Sequence, residues 1–310
     1  MIPYARSCKK AFTLVELLIV VTVVAILGLL TLAAIQEARG TSRRVSCSNN
    51  LRSIGVAINT HQTTLGNYPN GFGQPAGESY IVRLLPFMEQ ASLFASMNFN
   101  NGTPNTVLCS ANGTALTTLV NGFTCPSDNN RYDPLSRTSS NYAANAGDHS
   151  ISGDGSFIGL DLAPRDITDG LSQTAAVSEW VIGNGDETHA TQLGTCFTIA
   201  NSVKSYNAFK QVCTSLDKLF VNPNPPGYKG QFWIMGGLSG TQYNHLLTPN
   251  LPSCLNRGFE AFTSGSYHNS GVNSLLLDGS VRFVRESINQ EVWSALGTRA
   301  RGELVSGDSF

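Results

Sequence analysis

Charge is what this sequence has least of. Asp, Glu, Lys and Arg make up 13% of its 310 residues, about half of the ~25% usual for a soluble globular domain. Neither sign prevails: 20 Lys and Arg stand against 21 Asp and Glu, for a net charge of -1. No global field therefore recruits nucleic acid or anionic lipid, and no nucleic-acid-binding motif occurs, so a nucleic-acid partner is not expected. The chain also lacks C-x-x-C, G-x-S-x-G, H-E-x-x-H and G-x-x-x-x-G-K-[ST]. These absences argue against a clustered zinc site, a thioredoxin-like redox pair, a serine hydrolase, a zinc protease and a P-loop. The expectation is a protein that is not an enzyme.

What is present is small, polar and interrupted. Thirty Gly accompany many Asn, Ser and Thr, a composition that suits a loop-rich extracytoplasmic domain. From Leu17 to Ile35 there are 19 residues without a charge. At ~1.5 Å per residue they make a helix of about 28 Å, close to the ~30 Å hydrocarbon core of a bilayer. A cleavable secretory signal has an apolar stretch of only ~7–15 residues, so the run reads as a retained membrane span. Arg6, Lys9 and Lys10 precede it, while Arg39, Arg43 and Arg44 follow it with only Glu37 opposing. Charge counting is therefore close to a tie. Cysteine usage breaks the tie: Cys8 precedes the span, and Cys47, Cys109, Cys125, Cys196, Cys213 and Cys254 lie beyond it. An even number of cysteines suits an oxidising compartment, which puts the N-terminus in the cytoplasm and the head outside. Glu16 sits at the edge of the span, where a carboxylate costs up to ~3 kcal/mol and is a functional candidate by default.

The run Lys9-Lys10-Ala11-Phe12-Thr13-Leu14-Val15-Glu16-Leu17-Leu18 resembles the class III signal of type IV prepilins and type II secretion pseudopilins. The resemblance implies cleavage between Ala11 and Phe12 by a prepilin peptidase and N-methylation of the new Phe12 amine. It also implies that Glu16 meets the terminal amine of a neighbouring subunit within the membrane or filament. The family prefers Gly where this chain has Ala11, which implies slower processing.

Past the span, Cys47, Leu51, Ile54 and Ile58 recur at helical steps, one stripe of an amphipathic helix running from Phe12 to about His61. Gly28, Gly40 and Gly55 are its weak points. Asn67-Tyr68-Pro69-Asn70-Gly71 is turn chemistry that stops it. A second helix is expected to open near Pro86 and carry Met88, Leu93, Phe94 and Met97. Thr174–Val181 reads as a strand, and residues 183–260 have no clear period and read as an insertion covering the core. Val272–Leu277 and Ser280–Val284 flank Asp278-Gly279, a two-residue hairpin signal. Ser287 with Gln290 reads as a capping box for a last helix carrying Val292, Trp293 and Leu296.

Five segments taken in order also resemble a family: Cys47 to Gly55, Leu84 to Gln90, Cys125-Pro126-Ser127-Asp128, Ile167 to Ser172, and His268 separated by nine residues from Asp278-Gly279. They are similar to a large bacterial family of pilin-like surface proteins, domain of unknown function 1559, also labelled solute-binding-like. The resemblance spans Lys10 to about Glu303, weakest near 183–255, and implies a pilin-type anchor and architecture.

The fold expected is α+β and pilin-like. A long N-terminal helix packs its distal half on an antiparallel sheet, with a large loop-rich insertion. Residues 1–11 are a leader, 12–35 the span, 36–62 the extracytoplasmic half of the helix, and 63–310 the head. In that head His268 is expected to bond backbone at the start of the hairpin while Asp278 makes its turn. The alternative is that Asp278 orients the His268 imidazole or that the two bind a ligand. Asp148, Asp154, Asp161, Asp166 and Asp169 offer oxygen ligands for Ca²⁺, though without EF-hand spacing, and read first as turn carboxylates. His61, His149, His189 and His245 are isolated, and Trp180, Trp233 and Trp293 read as core. Six cysteines allow about fifteen pairings; proximity in sequence alone suggests Cys109–Cys125 and Cys196–Cys213.

Two functions remain open on the sequence. One is a pilin-like protein of the inner membrane, partnered by a prepilin peptidase and by other pilin-like subunits or secretion machinery. The other is a binding module for which the pilin segment is only a tether.

Overall fold

The computed structural model describes residues 13–73, 77–99, 111–118, 120, 122–128, 139–148, 153–159, 161–183, 190–216, 219, 221 and 229–303. The chain divides into two compact units, Met1–Arg43 and Arg44–Phe310.

The helix α1 covers Leu14–Leu65. In the N-terminal unit its large apolar side chains are exposed, from Leu14 and Val15 through Leu17, Leu18, Ile19, Val20 and Val21 to Leu32 and Ile35. Among the described residues it is the one helix long and apolar enough to cross a membrane. In the head the same helix turns amphipathic: Cys47, Leu51, Ile54, Ala57 and Ile58 are buried. The helix runs through Gly28 and Gly40, where added side chains would meet nothing within 4 Å. It ends at Gly66, whose φ of 84° lets its N–H close on the Gln62 carbonyl at 2.8 Å. Glycine at that left-handed position is the usual helix stop, one residue before the turn cluster expected to end it.

Two sheets follow. The strands are β1 (Tyr142–Asn145), β2 (Ala175–Glu179), β3 (Cys196–Thr198), β4 (Gln242–Tyr243), β5 (Ser253–Leu255), β6 (Glu260–Ala261), β7 (Gly271–Leu276) and β8 (Val281–Arg285). The main sheet has the order β4-β1-β2-β7-β8 and is antiparallel except where β4 joins β1 in parallel. The second sheet has the order β3-β5-β6.

Every residue of β2 and β7 is buried, so both faces of the main sheet are covered along these two strands. Tyr142, Ala144, Val177 and Leu275 join one core with Cys47, Leu51, Ile54 and Ile58 of α1. On the opposite face Ala143, Tyr243, Val272 and Val284 pack with Trp293, Ala295 and Leu296 of the last helix, Gln290–Gly297. That helix is capped by Asn289, whose side chain accepts the Glu291 N–H, and not by the Ser287–Gln290 box. Trp180, Trp233 and Trp293 are all core residues, each at most 1% exposed.

The helix meets the sheet closely at Gly55. A Cβ there would lie 2.8 Å from Cδ1 of the fully buried Leu275. Gly55 is thus a point of close approach and not a weak one. We expect Gly55→Val to lower head stability by about 2 kcal/mol through overpacking, outweighing any gain from removing a helical glycine. Chemical denaturation followed by tryptophan fluorescence reads it.

Around Pro86 the chain forms a short helix (Tyr80–Leu84), a 3₁₀ turn (Leu85–Phe87) and another short helix (Ala91–Ala95). Pro86 therefore opens a 3₁₀ turn and not a long helix. The stretch 183–260 is part insertion and part sheet. It supplies edge strand β4, and it builds a separate core from Phe197, Ile199, Phe209, Val212, Leu246 and Cys254.

Candidate functional site

The buried chemistry of the head gathers where α1, β2 and the segment before β7 meet. Cys47 lies on the sheet-facing stripe of α1, Glu179 ends β2, and His268 precedes β7. Cys125 comes from a loop fixed by Asn141, whose Oδ1 accepts the Cys125 N–H at 2.8 Å. Cys47 and Cys125 form a disulfide with Cα atoms 5.2 Å apart. Beside it, His268 Nε2 lies 3.7 Å from Cys125 Sγ and 3.3 Å from Glu179 Oε1. The His268 and Glu179 side chains are 3% and 1% exposed, so a carboxylate is held out of water and must be bonded to persist there. Asn273 does this from β7: its backbone N–H donates to Glu179 Oε2 at 2.8 Å and its Nδ2 to Oε1 at 2.9 Å. Ser127 Oγ stands 3.4 Å from His268 Nδ1. Among the described residues, Cys47, Cys125, Glu179 and His268 converge as candidate metal ligands, their ligand atoms within 4.8 Å of one another.

The other candidate lies at the head of α1. Thr13 and Glu16 form a reciprocal cap: Thr13 N donates to Glu16 Oε2 at 2.9 Å, Thr13 Oγ1 to the same oxygen at 2.8 Å, and Glu16 N to Thr13 Oγ1 at 3.2 Å. This is the T-x-x-E capping box, so Glu16 bonds its own helix terminus within this chain. Ala11 and Phe12, the expected cleavage site, lie outside the described residues.

Comparison with known proteins matches two stretches of the chain. Residues 6–32 match the prokaryotic N-terminal methylation motif, and residues 36–291 match the family described as protein of unknown function (DUF1559). The chain belongs to the DUF1559 family. No curated protein and no solved structure matches it. With the methylation motif, this DUF1559 protein is a pilin-like, prepilin-processed chain anchored in a membrane by one apolar helix.

In this DUF1559 chain the segment from His268 to Gly279 is split between two jobs. The carboxylate beside His268 is Glu179; Asp278 instead caps the hairpin, its Oδ1 accepting from Ser280 N at 2.9 Å and Ser280 Oγ at 2.7 Å. The connection is three residues, not two: Leu276 and Ser280 are bonded across it, and Gly279 takes a φ of 87°. The expected bond from the His268 ring to backbone is not the one formed: the ring meets the side chains of Cys125, Ser127 and Glu179, and the His268 N–H donates to Ser266 Oγ at 3.1 Å. The sequence missed Glu179 as the partner. The available signal was a lone carboxylate inside an apolar strand.

The expected cysteine pairs are not the ones formed. Cys125 bonds Cys47 and Cys213 bonds Cys254, while Cys196 is free and buried, its thiol pushed up to about 12 by burial. Cys109 lies outside the described residues. Nearness in sequence failed because the bonds join elements that pack across the fold. They close separations of 78 and 41 residues, each contributing roughly 4 kcal/mol in the chain-entropy account.

The aspartates considered for calcium serve other partners. Arg301 takes Asp148 in a two-pronged pair at 2.6 and 2.7 Å and also bonds Asp154. Asp169 accepts from the backbone of Arg301 and Gly302, Asp166 caps Ala163 N, and Asp161 lines a cleft with His61. Of the other histidines, His245 is fully buried and His149 and His189 lie outside the described residues.

Proposed function

We propose that this chain is a non-enzymatic, pilin-like subunit of the inner membrane. Its N-terminus faces the cytoplasm and its head lies in the periplasm or at the cell surface. The observation that carries this reading is the N-terminal element. An apolar, exposed helix is opened by the Thr13–Glu16 cap, lies behind Arg6, Lys9 and Lys10, and begins within the methylation motif. The Cys47–Cys125 and Cys213–Cys254 disulfides support an oxidising location for the head.

In this account a prepilin peptidase cuts between Ala11 and Phe12 and methylates Phe12. Glu16 then exchanges Thr13 for the terminal amine of a neighbouring pilin-like subunit, pairing two charges that are each costly alone in lipid. Repetition of that head-to-tail contact builds a pseudopilus-like filament, as in type II secretion. The segment from His268 through Asp278-Gly279 is the H-X9-DG motif of this reading, and it fixes the hairpin to the helix.

Intact mass and N-terminal peptide mapping of protein from its native membrane test the proposal. A chain beginning at N-methylphenylalanine 12 is expected. Ala11→Lys should remain uncut, and Glu16→Val should be cut yet fail to crosslink to neighbouring subunits. A native chain that still begins at Met1 overturns the reading.

A second reading, a tethered binding module, has one observation in its favour. A cleft of about 460 Å³ at the end of α1 is lined by His61, Asn67, Tyr68, Asn70, Arg83 and Asp161. Burial lowers the His61 pKa. The cleft suits a small polar ligand, and one whose binding is lost in Arg83→Ala would favour this reading.

A further inference from the structure

We propose that Cys47, Cys125, His268 and Glu179 form a tetrahedral zinc(II) site when the Cys47–Cys125 disulfide is reduced. The disulfide and the metal would be alternative staples at one place in the fold.

Zinc binds thiolate sulfur at about 2.3 Å and imidazole nitrogen or carboxylate oxygen at about 2.0 Å. Tetrahedral angles then put nitrogen about 3.3 Å from oxygen and about 3.5 Å from sulfur. His268 Nε2 already stands 3.3 Å from Glu179 Oε1 and 3.7 Å from Cys125 Sγ. All the ligand atoms lie within 4.8 Å of one another; the covalent sulfur–sulfur edge is the one that must lengthen, and reduction allows it. Two sulfurs, an imidazole and a carboxylate are a donor set that favours zinc over calcium or magnesium.

The surroundings already have the form of an outer shell. Asn273 fixes Glu179 through two bonds, and Ser127 Oγ lies against the second nitrogen of His268. Such partners orient ligands before the metal arrives. The four side chains come from α1, the Cys125 loop, the end of β2 and the segment before β7. Zinc would therefore hold together the parts that the disulfide joins and add two more.

The chemistry balances with a dithiol as reductant. The dithiol passes two electrons to the sulfur–sulfur bond and becomes a cyclic disulfide, leaving thiols on Cys47 and Cys125. Zinc then displaces both thiol protons to solvent and does not change oxidation state.

The test uses the full chain in detergent, reduced with dithiothreitol under anaerobic conditions, loaded with zinc chloride or cobalt chloride and desalted. A Cys213→Ala/Cys254→Ala background removes the other reducible pair. One zinc per reduced chain is expected and none per oxidised chain, with thiolate-to-cobalt charge-transfer absorption in the cobalt form. Glu179→Gln and His268→Ala should each weaken metal affinity at least tenfold, at the low end of the ~10–100-fold losses typical even for outer-shell partners. Tryptophan fluorescence of the oxidised variants verifies their fold. A reduced chain that retains no zinc and shows no charge-transfer band overturns the proposal whatever the variants do. Variants that bind with unchanged affinity and spectrum overturn it as well.

Discussion

Replacing Lys229 by methionine is expected to destabilise the head by about 3 kcal/mol at pH 7, and by more as the pH rises. Lys229 is 1% exposed, and its Nζ donates to Leu193 O at 3.1 Å, Ser253 Oγ at 3.0 Å and Thr263 O at 2.9 Å. Methionine conserves the stem but donates nothing, so buried acceptors lose their partner at about 1–3 kcal/mol each. Ser253 Oγ loses least, because it still accepts the Thr263 N–H.

The pH dependence follows from burial, which lowers the Lys229 pKa from 10.5 to about 7. Between those values the unfolded chain binds more protons than the folded one, so stability rises with pH. The methionine variant lacks that slope, and its deficit widens from pH 7 to pH 10. Urea denaturation of both proteins at several pH values, read by the buried tryptophans, measures it. Equal slopes would show that the ammonium is not desolvated in the fold.

The second large effect is acid destabilisation through His245. The ring is fully buried, with its centroid 4.0 Å from that of Trp293. Its Nδ1 lies 2.6 Å from the Trp293 carbonyl, an acceptor, so Nδ1 carries the hydrogen; Nε2 then accepts from Tyr243 Oη at 2.9 Å. Both nitrogens are satisfied in the neutral ring, and a proton on Nε2 would face a hydroxyl already donating to it. Burial lowers the His245 pKa from 6.5 to about 3. The sign follows from linkage: above pH 6.5 neither state holds the proton and nothing is lost, while below it the unfolded chain gains a proton that the folded chain refuses. Stability should fall by an amount on the order of 5 kcal/mol as the pH drops through this window, since each tenfold difference in proton affinity between the two states is worth about 1.4 kcal/mol. His245→Gln should be less stable at neutral pH and lose this part of the acid slope. An unchanged slope would locate acid sensitivity in other groups.

Lys229 and His245 show what a sequence hides. Each is a lone polar residue within irregular chain, and neither belongs to a motif. Partners that hold them lie far off: Leu193 and Thr263 for Lys229, and Trp293, besides the nearby Tyr243, for His245. Spacing rules see neighbours three or four residues apart on a helix, or opposite each other on a hairpin. They do not see a pocket assembled from three segments. The same holds for Glu179 and for both disulfides.

The features that were legible are local or periodic. The anchor is legible because nineteen uncharged residues meet the thickness of a bilayer. The buried stripe of α1 follows from helical spacing, and the β7–β8 hairpin from Asp278-Gly279, whose glycine takes the positive φ the turn needs. The methylation motif and the family series are likewise continuous in the chain. The sequence by itself therefore determined the anchor, the α+β class, the family and the C-terminal hairpin. Only the tertiary structure decided that Cys47 bonds Cys125, that Glu179 and not Asp278 faces His268, and that Arg301 occupies the aspartate cluster. The reason is physical: a local pattern needs only backbone geometry and the burial of one face, whereas a pairing between distant residues exists only once the sheet and helix have packed and set the distance between them.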